Sequence, residues 1–101
     1  MSDSEIRIEP DPDQQRFVAY DGDTEAGFVA YRADGEVRVV THTEVDDAVE
    51  GRGVGSALAR AVLDDARQQG LSVRPDCRFV RSWIERHEDY QDLVSGTSSG
   101  D

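Results

Sequence analysis

The chain has 101 residues, with 22 carboxylates against 11 cationic side chains and a formal net charge of −11. That length has room for one domain and one modest core, and none for a separate substrate domain. The acidity excludes nucleic acid as a partner, because no basic patch is available to neutralise phosphates.

All eleven cations are arginines, lysine is absent, and Asp outnumbers Glu by 14 to 8. Such a surface suits concentrated salt, where like-charge repulsion is screened within about 3 Å at 1 M and carboxylates keep the protein hydrated. A halophilic origin is expected, and in dilute buffer the self-repulsion should loosen the compact state. The lone cysteine, Cys77, cannot form an internal disulfide, so nothing points to an oxidising compartment. No apolar stretch approaches the roughly 20 residues that span a bilayer. Met1-Ser2-Asp3-Ser4-Glu5 is acidic and lacks a signal-peptide apolar region. The expectation is a cytoplasmic protein without membrane association, a monomer or weak dimer.

The first half reads as strands. Ile6 and Ile8 alternate with charged residues until Pro10-Asp11-Pro12 stops the run. Phe17-Val18-Ala19-Tyr20 is a second strand, closed by Asp21-Gly22-Asp23. Gly27 to Arg32 is a third, and Asp34-Gly35 is a hairpin signal joining it to a fourth, Glu36 to Val45. The period then changes. Val54, Leu58, Ala59, Val62, Leu63 and Ala66 form one apolar stripe of a helix ending near Gln69, with Gly70 as its stop. Leu71 to Arg74 is a short strand that can pair only after that crossover, hence in parallel, and Pro75-Asp76 ends it. A second helix is predicted from Cys77 to His87, capped by Asp76, with Phe79, Trp83 and Ile84 facing the core. Residues 95–101 form a small, polar, disordered tail. The order β-β-β-β-α-β-α over residues 1–94 is an α+β plan with a mixed, mostly antiparallel sheet and two main helices.

Glu50-Gly51-Arg52-Gly53-Val54-Gly55-Ser56 lies between the last hairpin strand and the first helix. Alternate glycines permit close approach of backbone to a ligand. Their amides, with the free N–H groups of the helix start, make a phosphate cradle that needs no lysine. A Walker loop is ruled out for want of Gly-Lys, and a dinucleotide fingerprint because Gly53-Val54-Gly55 runs on into Ser56-Ala57-Leu58. Arg52-Gly53-Val54-Gly55-Ser56-Ala57-Leu58 instead resembles the pyrophosphate loop of the GNAT acetyltransferases, Q/R-x-x-G-x-G/A. Glu50 stands where those proteins usually carry Gln or Arg, which removes a side-chain donor and leaves the backbone cradle. The order Thr41 to Val45, glycine loop, Cys77-x-Phe79-Val80, then His87-x-x-Tyr90-x-Asp92-Leu93-Val94 is similar to a short GNAT subfamily lacking the N-terminal helices. The likeness covers residues 5 to 94. Two prolines of that subfamily's pattern are replaced, by Arg78 and by Glu88.

The resemblance implies an acetyl-CoA-dependent N-acetyltransferase that binds an acyl-CoA, needs no metal, and acts on an amine or protein acceptor that is not specified. It places the cofactor on Val45, Gly51, Arg52, Gly53, Val54, Gly55 and Ser56, with the pantetheine arm along the edge of strand Thr41 to Val45. Glu44 is expected as general base and His42, two residues away on the same strand face and about 7 Å along it, as its partner or relay. Cys77, at a helix start, is a possible nucleophile or a small core residue. Tyr90 is a possible general acid or simply packing. A non-catalytic CoA-binding module is the rival, and a structural partner domain a third alternative.

Overall fold

The computed structural model describes residues 6–49, 51 and 53–94. The polar tail expected at 95–101, and Glu50 and Arg52 of the loop, lie outside the described residues. Five strands, β1 (Ile6–Asp11), β2 (Arg16–Asp21), β3 (Thr24–Asp34), β4 (Val37–Val45) and β5 (Ser72–Pro75), form one sheet in chain order. The first four are antiparallel, and β5 is parallel to β4. Two helices, α1 (Val54–Gln68) and α2 (Arg78–Glu85), complete a mixed α+β fold.

The hairpins form where the turn chemistry puts them. Gly22 and Gly35 both take left-handed φ values, +67° and +63°, which an L side chain resists. β1 is longer than expected and runs through Pro10, which pairs with Phe17. β1 is the sheet's edge, and there a residue without an N–H costs no ladder bond. The chain then reverses through a 3-10 turn, Pro12–Gln14.

α1 follows its stripe. Val54, Leu58, Ala59, Val62, Leu63 and Ala66 are all 0–2% exposed. They share a core with Phe17, Ala19, Val29, Val40 and Val73 of the sheet and with Val80, Trp83 and Ile84 of α2. At its end the Gly70 amide donates to the Arg67 carbonyl and the Leu71 amide to the Ala66 carbonyl, at 3.1 and 2.9 Å. This is a Schellman motif, with Gly70 at φ +74°. Arg38 of β4 is the one charged side chain buried among the described residues. It donates to Asp65 (2.9 Å) and to the Val62 carbonyl (3.2 Å) of α1 and lies over the Tyr31 ring, so its charge is neutralised where it is buried.

α2 departs from expectation at both ends. Cys77, not Asp76, is its N-cap, and no side chain caps it. Asp76 faces Arg74, at 3.3 Å. The helix stops at Glu85 because the Arg86 and His87 amides turn to carbonyls three residues back. His87 instead stacks on Trp83, with ring centroids 3.7 Å apart, and its Nδ1 donates to the Trp83 carbonyl at 2.7 Å. A 3-10 turn, Glu88–Leu93, follows and is fastened to α1: Arg67 pairs with Asp92 at 3.1 Å, and Tyr90 donates to Asp64 at 2.8 Å.

Burial, and then the hydrogen bond to Asp64, raise the Tyr90 phenol above its ordinary value. The folded chain therefore holds that proton more tightly than the unfolded chain, and the associated stability is present below pH about 10 and lost as pH rises beyond it. Tyr90→Phe should cost about 1 kcal/mol at neutral pH through the lost hydrogen bond. In urea denaturation it should also lose less stability than the parent between neutral pH and about pH 11.

Candidate functional site

β4 and β5 pair only from Val37 to Val40. Beyond that point the sheet splits. Pro75 has no N–H to continue the ladder, and the Asp76 and Cys77 amides both donate to the Val40 carbonyl, each at 3.0 Å. On its other side β4 carries a bulge: Ala30 pairs with His42 and Tyr31 with Val40, leaving Thr41 unmatched. From Thr41 to Val45 the strand is therefore held only by β3, and its second edge is open.

The start of α1 points at this opening. Gly53 is the N-cap, at φ +80°, and no side chain caps the helix. The first closing bond runs from the Ala57 amide to the Gly53 carbonyl at 3.0 Å. The amides of Val54, Gly55 and Ser56 thus precede the first helical hydrogen bond, and among the described residues none meets an acceptor. They carry the positive end of a helix of 15 residues. Beside them lies a cavity of about 390 Å³, lined by Thr43, Val45, Val49, Gly51, Gly53, Val54, Gly55, Ser56 and Phe79. A larger cavity, about 520 Å³, lies beyond α2 among Arg74, Asp76, Arg81 and Glu85, and shares no lining residue with it. The open amides make the glycine-loop cavity the candidate site.

The loop glycines serve different ends. Gly51 and Gly53 have left-handed φ, +88° and +80°, and a Cβ on either would meet nothing within 4 Å. There the backbone conformation requires glycine. Gly55 lies in the helix, and a Cβ there would come 2.7 Å from the tip of the Phe79 ring. The side chain of Val54 is buried in the core, leaving its amide for the site. The Ser56 hydroxyl is occupied as well, accepting the Trp83 indole N–H at 2.9 Å.

The three expected reactive side chains are divided by the pleat of β4. Thr43 and Val45 line the cavity; Cys77 is not part of the lining, but its Sγ lies 3.3 Å from Thr43 Oγ1. His42 and Glu44 are exposed on the opposite face, paired at 3.2 Å, with the His42 ring beside Phe28. Glu44 borders a second hollow of about 290 Å³ with Glu25, Phe28 and Asp46, which shares Val45 with the first. Tyr90 is bonded to Asp64, which lies ten residues along α1 from Val54, about 15 Å by helical rise, and Tyr90 does not line the cavity. Thr43, Val49 and Phe79 line the cavity without having been among the cofactor residues expected from the sequence. Phe79 was expected in the core, yet it is 40% exposed and faces the loop. For Thr43 the available signal was its place between His42 and Glu44 on an alternating strand.

A five-strand mixed sheet split beside an uncapped, glycine-led helix defines an acetyltransferase-type fold. A family model, GCN5-related N-acetyl-transferase, matches residues 16–93. The chain belongs to that family. It is 32% identical over 85 residues to Protein NATD1 of Homo sapiens, spanning 81% of this chain and 74% of that protein. To Protein NATD1 of Xenopus tropicalis it is 30% identical over 86 residues, spanning 83% and 79%. The NMR structure of a GCN5-like protein from Staphylococcus aureus matches with a TM-score of 0.70 and 31% identity, over 95% of this chain and 92% of that one. Ard1 from Thermoplasma volcanium, 24% identical, shares the fold with a TM-score of 0.61 over 72% of this chain and 54% of its own.

Trp83 is fully buried and its indole N–H has Ser56 as its acceptor. Ser56→Ala should therefore lower unfolding stability by about 1–2 kcal/mol, because a buried donor is left unpaired. Ser56→Thr, which keeps the hydroxyl, should lose less in the same denaturation measurement.

Proposed function

We propose that this chain is an acetyl-CoA-dependent N-acetyltransferase acting on an amine, and that residues 1–94 work as one catalytic unit in the cytoplasm. The observation that carries the reading is the set of three open amides, Val54, Gly55 and Ser56, at the mouth of a cavity bordered by the free edge of β4. An anionic group fits there without a cationic side chain. Pyrophosphate is such a group, and an extended amide-bearing arm suits an unpaired strand edge. Thr43, Val45 and the glycine loop would hold acetyl-CoA, which supplies an activated acyl group as substrate. Arg52 belongs to the same loop in sequence.

In this reading the acceptor amine approaches from the face of β4 away from the loop cavity, where Glu44 takes its proton and His42, 3.2 Å away, orients the carboxylate or passes the proton on. The amine then attacks the acyl carbon directly, the thioester C–S bond breaks, and CoA leaves as its thiol with the proton given up by the amine. A second route is favoured by one contact, Cys77 Sγ beside Oγ1 of Thr43, a residue of the cavity lining. There the Cys77 thiol would lose its proton, take the acetyl group with release of the CoA thiol, and pass it to the amine. A module that binds CoA without turnover is the reading to which a silent amine screen would lead.

Glu44→Gln should lower turnover of acetyl-CoA with a responsive amine by about 10²–10⁴-fold, the usual scale of a lost general base. Cys77→Ala should lose little. The reverse pattern, with an acetyl adduct on Cys77 by intact mass that transfers at the steady-state rate, establishes the covalent route instead. Tight CoA binding without turnover of any amine in a broad panel makes the chain a binding module.

The proposal extends to the medium. Among the described residues Arg38 is the only buried charged side chain, so the acidic excess is carried at the surface. We infer a protein adapted to molar salt, where that repulsion is screened. Its thermal midpoint should rise by many degrees between dilute buffer and molar KCl; a flat midpoint refutes the inference.

A further inference from the structure

Phe79 is the one large apolar side chain exposed among the described residues, at 40%. In a chain of net charge −11 that exposure sits at a single place, the rim of the glycine-loop cavity. The ring is also fitted to its neighbour. Its Cζ, Cε2 and Cε1 atoms lie 2.7, 3.2 and 3.4 Å from the Cβ that Gly55 lacks. Gly55 has no left-handed φ. Unlike at Gly51 and Gly53, a side chain here is opposed by the ring, which would have to shift, and not by the backbone. The ring thus lies against the first turn of α1, next to the open amides, and its helix carries Cys77 and the Thr43 contact two residues earlier.

Resting on the acyl-CoA reading above, we propose that Phe79 is the clamp for the branched aliphatic segment of coenzyme A that adjoins the pyrophosphate. In that molecule a quaternary carbon bearing two methyl groups lies one methylene beyond the pyrophosphate on the way to the thiol. With the pyrophosphate at the Val54–Ser56 amides and the thiol toward Cys77 and Thr43, that segment passes the ring. Covering the ring removes apolar surface from water. Phe79 acts as a positioning residue: it fixes where the arm leaves the loop and so where its reactive end arrives.

The test is calorimetric titration of the parent, Phe79→Ala and Phe79→Leu with three probes: coenzyme A, 4′-phosphopantetheine and adenosine 3′,5′-bisphosphate. Phe79→Ala should weaken the first two about tenfold, the scale of one lost apolar contact, and leave the bisphosphate unchanged. Phe79→Leu should recover most of the loss. Gly55→Ala should weaken coenzyme A in the parent by displacing the ring and add little in the Phe79→Ala background, a coupling expected only of touching partners. Thermal midpoints should stay close to the parent's in the Phe79 variants, since the ring is exposed. Parent-like coenzyme A affinity in Phe79→Ala overturns the clamp alone, and so does an equal loss for the bisphosphate, which would put the ring on the adenosine side. Failure of the parent to bind any of the three probes overturns the acyl-CoA reading and the clamp with it.

Discussion

The burial of one face of α1 is the constraint on which the rest of the structure depends. Six residues of its stripe are withdrawn from water against the sheet and α2, and each large one contributes about 1.5–3 kcal/mol. The stripe sets the rotation of the helix, Arg38 ties it to β4 through Asp65, and the Schellman turn at Gly70 returns the chain to β5 beside β4. With the helix body so held, its N-terminus has one place to go. It opens beside the unpaired half of β4.

The split in the sheet is equally a matter of local chemistry. Parallel pairing of β5 with β4 lasts only four residues because Pro75 ends the ladder and the next two amides converge on one carbonyl. The bulge at Thr41 then re-aims the strand. An open strand edge and uncapped helix amides are each polar groups that need a partner or water. Placing both on one cavity makes a surface that an extended, phosphate-bearing molecule can satisfy at two points. The pleat of β4 meanwhile sends Thr43 to that cavity and His42 and Glu44 to the other face, so one strand serves two sides of the sheet.

Electrostatics shape the exterior more than the core. Carboxylates dominate by two to one, and apart from Arg38 the buried set among the described residues is apolar. Several arginines are spent on the chain's own architecture. Arg67 holds the C-terminal turn through Asp92 and the Asp89 carbonyl, and Arg16 meets Asp11 and lies over the Phe28 ring. The exposed Arg67–Asp92 pair contributes little by itself.

The sequence by itself determined the elements and their order. Alternation over Ile6 to Val45, Asp-Gly turns and the six-residue stripe of α1 were legible because each depends on neighbours within a few positions. The glycine loop was legible for the same reason. What only the tertiary structure decided was which face met what. Phe79 belonged to an apolar spacing that could serve a core equally well; its outward place depends on the gap above Gly55, on another helix. Cys77 became the cap of α2 because the Val40 carbonyl, 37 residues earlier, drew its amide and that of Asp76. The division between Cys77 and the His42–Glu44 pair required the bulge at Thr41, and a bulge is set by the register of two strands. A local pattern fixes a residue's direction on its own element, while the partner across the gap is supplied only when distant elements pack.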